Sequence, residues 1–210
     1  MRRIAPLCQA CLPALLLLAA SQARAIEIVE IEEYWELQVG EPDGPSSSPQ
    51  VCMVMSHTGD LNTDYFVFTV NHHSHPEFVP GGMQVQRWSG EDVAEARIGP
   101  QEGTLDHVEE TLTWRQRMTL GDGAVTFEID NGSSDSWGSF GGTGHLRVSA
   151  PSDAVNLNSY RPAISIEQSG VNYAGNRVRS LTLQRLRWID SEGQVYELVA
   201  PIDVDADLDP

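Results

Sequence analysis

The densest run of metal-binding side chains is Asn71-His72-His73-Ser74-His75-Pro76-Glu77. If a strand continues to His75, then His73 and His75 share one face roughly 6.5 to 7 Å apart, near enough for both imidazoles to reach one zinc ion. Glu77 shares that face beyond the bend at Pro76, and His57, His107 or His145 would have to supply a third ligand. Three histidines after a strand equally form a solvated turn, and no second group at ligand spacing accompanies them. A different chemistry is offered by Asn131 to Gly144, a fourteen-residue stretch with five glycines and four serines that carries Asp135 and Trp137. The apolar face of a sugar ring stacks on an indole while neighbouring polar groups meet its hydroxyls, so Asn131, Asp135 and Trp137 form a candidate carbohydrate site. The competing expectation is that Trp137 folds back as a plug over the open end of the core. Asn158, Tyr160, Asn172, Tyr173 and Asn176 lie in two further polar and aromatic loops that either join the same rim or are simply turns.

Glu128-Ile129-Asp130 places two carboxylates on the side of a strand opposite Phe127 and Ile129, away from the core. The pair resembles part of the Glu-x-Asp-x-x-Glu motif of laminarinase-type β-glucanases, which have a concanavalin-style sandwich. That resemblance implies retaining hydrolysis by two carboxyl groups about 5 to 5.5 Å apart, one nucleophile and one acid. It covers two residues, and Ser133 stands where the motif has its second glutamate. An extracellular hydrolase, metal-assisted through His73, His75 and Glu77 or glycosidase-like through Glu128 and Asp130, is therefore the alternative to a binding or structural module. Asp60-Leu61-Asn62-Thr63-Asp64 begins like a calcium loop, but Tyr65 replaces the glycine and Asn71 the bidentate glutamate. Structural calcium held by mixed loop carboxylates stays open without a locatable site, and no other cofactor is expected. Gly-x-Ser-x-Gly is absent.

The elements that must position these groups are strands. From Val108, the residues Val108, Leu112, Trp114, Met118 and Leu120 alternate with polar ones, Glu110 and Gln116 being the exceptions on the apolar side. Gly121-Asp122-Gly123 supplies a hairpin turn, and Val125, Phe127 and Ile129 resume the pattern on the return. Val29 to Val39 alternates likewise, with Glu33 the one break in its apolar face. Further strands are expected over 51–57, 65–71, 83–89, 145–149, 163–168, 178–190 and 195–199, with a bulge between Leu183 and Leu186 where the apolar face changes parity. Met83 to Ser89 has large groups on both faces, which makes Trp88 a candidate surface aromatic. Glu91 to Ile98 is the most helix-like segment, although a short edge strand fits it as well. Gly40 to Gln50 reads as a loop. The pattern predicts an all-β fold: one antiparallel β-sandwich, jelly-roll or concanavalin-like, of about nine or ten strands.

Composition sets the remaining bounds. Residues 1–25 carry Arg2 and Arg3, an apolar run from Leu12 to Ala20 and the small-x-small site Ala23-Arg24-Ala25, a secretory signal peptide by pattern. The expected domain then spans 26–202, followed by an acidic disordered tail at 203–210, and the chain is expected to be exported, to a periplasm or the extracellular space. Past Ala25 only Cys52 remains, without an intrachain partner, and reads as a small buried hydrophobe. Ten arginines against thirty acids give residues 26–210 a net charge of −20, and lysine is absent. Such a surface disfavours nucleic acid and anionic membranes. No later apolar stretch is long enough to span a bilayer. Polysaccharide or an envelope protein is the expected kind of partner, and the sequence does not decide the function between them.

Overall fold

The computed structural model describes residues 26–41, 49–71, 82–102, 105, 107, 109–173 and 177–204. The expected signal peptide, the end of the acidic tail and the candidate ligands His73, His75 and Glu77 lie outside the described residues.

Two antiparallel sheets face each other. The larger is built from β1 (Ile28–Val39), β6 (Glu110–Gly121), β7 (Ala124–Ser134), β8 (Gly138–Phe140), β9 (Arg147–Pro151), β11 (Val178–Asp190) and β12 (Val195–Asp203). Its order is β12-β11-β1-β6-β7-β8, with β9 also paired to β7. The smaller contains β2 (Gln50–Met55), β3 (Asp64–Val70), β4 (Gly82–Ser89), β5 (Asp92–Glu102) and β10 (Gly170–Tyr173), in the order β10-β2-β3-β4-β5. The described residues thus hold twelve strands, where about nine or ten were expected. Two short ones, β8 and β10, come from segments that read as loops.

Alternation decides what faces inward. Ile31, Trp35, Leu37, Leu112, Trp114, Met118, Phe127 and Ile129 from the larger sheet meet Met53, Met55, Phe66, Phe68, Met83 and Val85 from the smaller, all buried. Phe66 stacks on Phe127 with centroids 5.3 Å apart, and Phe68 meets Trp114 edge-on at 5.7 Å, so aromatic contacts bridge the two sheets. The expected bulge is present: the pairing of β11 shifts between Leu183 and Arg185 against both neighbours.

Asp92 to Ile98 lies in the edge strand β5, the strand alternative for Glu91 to Ile98. Three expectations change. Ala163 to Gln168, whose Ile-Ser-Ile alternation reads as a strand, lies in the short helix α1 (Pro162–Gln168). Pro162 fits at the helix start, where its missing N–H has no intrahelical role, and the single buried position, Ser165, is reached by one turn. Asn131 to Gly144 is no unstructured connection: β7 runs on through Ser134, turns in three residues and returns as β8. The glycines there serve close approach. A Cβ on Gly132 would sit 2.2 Å from the Phe140 ring, and one on Gly141, at φ +80°, would sit 2.4 Å from the Ile129 carbonyl oxygen. Asp203, assigned by pattern to the tail, still belongs to β12, and its carboxylate accepts the Leu181 N–H at 3.3 Å.

The polar exceptions in the alternation point inward. Glu33 and Gln116 are fully buried and stand opposite each other in the β1–β6 ladder. The Glu33 carboxylate accepts hydrogen bonds from Trp35 Nε1 at 2.9 Å, from Gln116 Nε2 and from the Tyr160 hydroxyl, with Ser165 beside it. Burial pushes its pKa up, against the lowering effect of those donors. Glu33→Ala would leave the donors unmet and is expected to lower stability by ~3 kcal/mol in urea denaturation. Glu33→Gln separates shape from ionisation. With the folded carboxyl held above its unfolded value of ~4.3, wild type has its full advantage over this variant in more acidic solution and loses it as pH rises through the folded value. Denaturation midpoints that keep a constant separation from acid to alkaline pH would contradict that assignment.

Candidate binding face

The outward surface of the smaller sheet is built by the residues that alternate with its core. On β2 these are Gln50, Cys52 and Val54, on β3 Tyr65, Val67 and Thr69, and on β4 Gln84, Gln86 and Trp88. Cross-strand register sets them side by side: Thr69 opposite Gln84, Val67 opposite Gln86 and Tyr65 opposite Trp88. With Leu61 and Gln168 they line a depression of about 510 Å³. Tyr65 and Trp88 stack at 6.0 Å with planes 11° apart, both half-buried. Trp88 Nε1 donates to Gln86 Oε1 at 3.2 Å, a bond that leaves the NH2 group of that amide unused. Cys52 sits in the floor, its sulfur 3.4 Å from Thr69 Oγ1 and its pKa raised by burial.

None of the eleven residues lining this depression is charged. The outward surface of the larger sheet is the opposite. One register row reads Glu197, Arg187, Glu32, Arg117, Glu128, Arg147 across six strands, alternating in sign at every step. Arg187 reaches Glu32 at 2.6 Å, Arg117 reaches Glu128 at 3.0 Å, and Arg115 holds Asp130 through two bonds of 2.6 and 2.7 Å while also meeting Glu32. These bonds raise the Arg115 pKa above its ordinary value. Arg185 lies over the Tyr34 ring at 3.7 Å. Arg115, Arg117 and Arg187 on this face are thus each met by a carboxylate.

The sites expected from sequence are dispersed. Asp130 is 6% exposed, and it and Glu128 are both engaged by arginines, so the pair that resembles half of a glucanase motif is part of the charge lattice. Asn131 is exposed at φ 52°, and Asp135 is exposed in the turn between β7 and β8. Trp137 is half-buried against the core with its indole nitrogen shielded from solvent, as the plug expectation has it. That turn is held from beneath. Glu110, the third polar exception, is buried and accepts the Ser136 N–H at 2.8 Å and hydroxyl at 2.6 Å. The neighbouring depression is lined by Asp130 to Ser133 and Ser139 to Thr143, without Asp135 or Trp137.

Of the possible third metal ligands, His57 is buried near Phe66 while His107 and His145 are exposed, and among the described residues no three His, Cys, Asp or Glu gather at metal-binding distance. Asn158 braces the start of β1 by bonding Ile28 and Ile26, and Tyr160 points to Glu33. The sequence reading missed Tyr65, Gln84 and Gln86. Their signal was available, since Trp88 shares a two-residue period with both glutamines. No protein-family model, curated protein or solved structure matches the chain.

The lattice makes a graded prediction. Arg115→Ala removes the two-bond partner of Asp130 and one of the two arginines on Glu32, both largely buried, and is expected to cost ~2 kcal/mol in urea denaturation. Arg97→Ala, whose partner Glu95 lies on an exposed edge, should stay within about 0.5 kcal/mol of wild type. Equal losses would show that burial does not distinguish the two pairs.

Proposed function

We propose that the protein is an exported binding module for neutral carbohydrate, with the ligand lying on the outward surface of the smaller sheet. The observation that carries this reading is the composition of the depression: a stacked Tyr65–Trp88 pair, a threonine and four glutamines, with no charge, in a chain whose formal net charge is −17. A neutral sugar has apolar C–H faces that stack on aromatic rings and hydroxyls that both donate and accept. Amides also do both, at no desolvation cost for a formal charge. An anionic polymer would need arginines, and none lines this depression, while Arg115, Arg117 and Arg187 on the larger sheet are paired with carboxylates. The depression falls in the usual size range of ligand sites, roughly 300 to 1,000 Å³.

Two finer points belong to the same reading. The strand connections that pass back and forth between the sheets suit a jelly-roll or concanavalin-like sandwich, in which a sheet face can serve as a platform. The signal-like pattern of residues 1–25 suits encounter with polysaccharide outside the cytoplasm. The reading moves the ligand away from Asn131, Asp135 and Trp137, whose indole is spent on core contact. It is preferred to a hydrolase because Glu128 and Asp130 are occupied by arginines and stand on the opposite face.

Affinity electrophoresis in gels containing neutral polymers (β-1,3- and β-1,4-glucan, xylan, mannan) or acidic ones (alginate, polygalacturonate) tests this directly. Retardation is expected in at least one neutral gel and in no acidic gel. Trp88→Ala should weaken it about tenfold or more, ~1.4 kcal/mol, while Trp137→Ala should leave it unchanged. Alkylation of Cys52, followed by mass spectrometry of its peptide, should slow when the retarding polymer is added. Retardation by acidic polymers alone, by none, or equally by wild type and Trp88→Ala would refute the reading, and with none the face would be left to a protein partner.

A further inference from the structure

We infer that the face takes internal stretches of a linear neutral glycan several residues long, and not a chain end or a single sugar; this rests on the carbohydrate reading above. The first argument is extent. Gln84 to Trp88 spans four steps of β4, about 13 Å, and the four strands β2 to β5 add about 14 Å across, well beyond one pyranose ring. The second is the absence of a wall toward β5. Ile98, opposite Gln84, is 59% exposed, and Val93, opposite Trp88, is 45% exposed. Paired residues share a face, so the polar and aromatic surface continues outward onto two bare aliphatic side chains. Val93 thus stands in register with Trp88 of the aromatic pair, and Ile98 in register with Gln84.

The third argument is spacing. Gln84 and Gln86 are two residues apart on one strand, so their amides repeat at roughly 6.5 to 7 Å along it. A pocket for a chain end encloses one ring and meets its hydroxyls from several sides. Here polar groups are spread along an open surface, a pattern that matches a repeating ligand whose ends extend past the protein. Each ring adds a modest contact, and affinity accumulates with length.

Isothermal titration of the intact protein with oligomers of the polymer that retards it, from monomer to hexamer, reads this out. Affinity should rise about tenfold or more between monomer and tetramer and then level off. Borohydride reduction of the chain end should leave hexamer binding unchanged. Ile98→Ser, an exposed edge substitution, should weaken hexamer binding by a larger factor than dimer binding. Monomer affinity equal to that of the hexamer, or loss of binding on end reduction, would overturn the inference while leaving carbohydrate binding in place. Failure of every neutral polymer to bind would overturn both.

Discussion

A carboxyl group without water around it must be met by the protein, and Glu33 is met from three directions. Trp35 bonds it from two residues along the same strand, Gln116 from the facing position on β6, and Tyr160 from the segment that leads into α1. The geometry therefore fixes more than one charge. A one-residue slip of β1 against β6 would turn Glu33 outward, carry Glu32 into the core and strand Arg115 and Arg187. Burial favours the proton-bound form of Glu33, and the Gln116 carbonyl oxygen, shielded and without a bond of its own, can accept that proton after rotation of the amide. The Tyr160 contact also closes the connection from β9 to β10 against β1, joining a segment over 120 residues distant in sequence to the first strand.

With the interior register held in this way, the two outward faces are free to differ. On the larger sheet the rows alternate in sign, and arginine suits such a lattice better than lysine. Its planar fork bridges two carboxylates at once, as Arg115 does with Asp130 and Glu32. A ligand would have to replace contacts that the face already makes with itself. On the smaller sheet Gln50, Gln84 and Gln168 make no side-chain hydrogen bond to another described residue, so polar capacity there is uncommitted. The contrast between a self-satisfied surface and an uncommitted one is what directs the functional reading to the smaller sheet.

The strands were legible in the sequence because side-chain direction in a strand has a period of two, and one face of nearly every long strand is covered. Even the β11 bulge showed as a change of parity. What misled were residues whose type and environment disagree. Glu33, Glu110 and Gln116 looked like interruptions because a polar residue on an apolar face normally marks the edge of burial, yet each bonds a partner distant in sequence. The Gly/Ser stretch from Asn131 to Gly144 looked like a loop because glycine marks both loops and close packing. The approaches of Gly132 to Phe140 and of Gly141 to Ile129 distinguish the two. The face on the smaller sheet was half visible, through Trp88. Its other half depends on the pairing of β3 with β4, which sets Tyr65 beside that indole.

The interior and the proposed face are connected through α1. Ser165 lies beside Glu33, three residues later Gln168 stands at the margin of the depression, and the Ser169 hydroxyl accepts the N–H of Val54 in its floor at 2.9 Å. A seven-residue helix has little stability of its own, because nucleation costs more than two turns return. Its position must come from these contacts and from Ile166, which packs against the core. A wall held by a buried polar cluster and a strand backbone is ordered before any ligand arrives, and the conformational entropy that a loose wall would lose on binding has already been lost in folding. In that sense the polar group buried in the larger sheet's inner face and the amides displayed on the smaller sheet's outer face belong to one arrangement: the first settles where the helix lies, and the helix settles where the second ends.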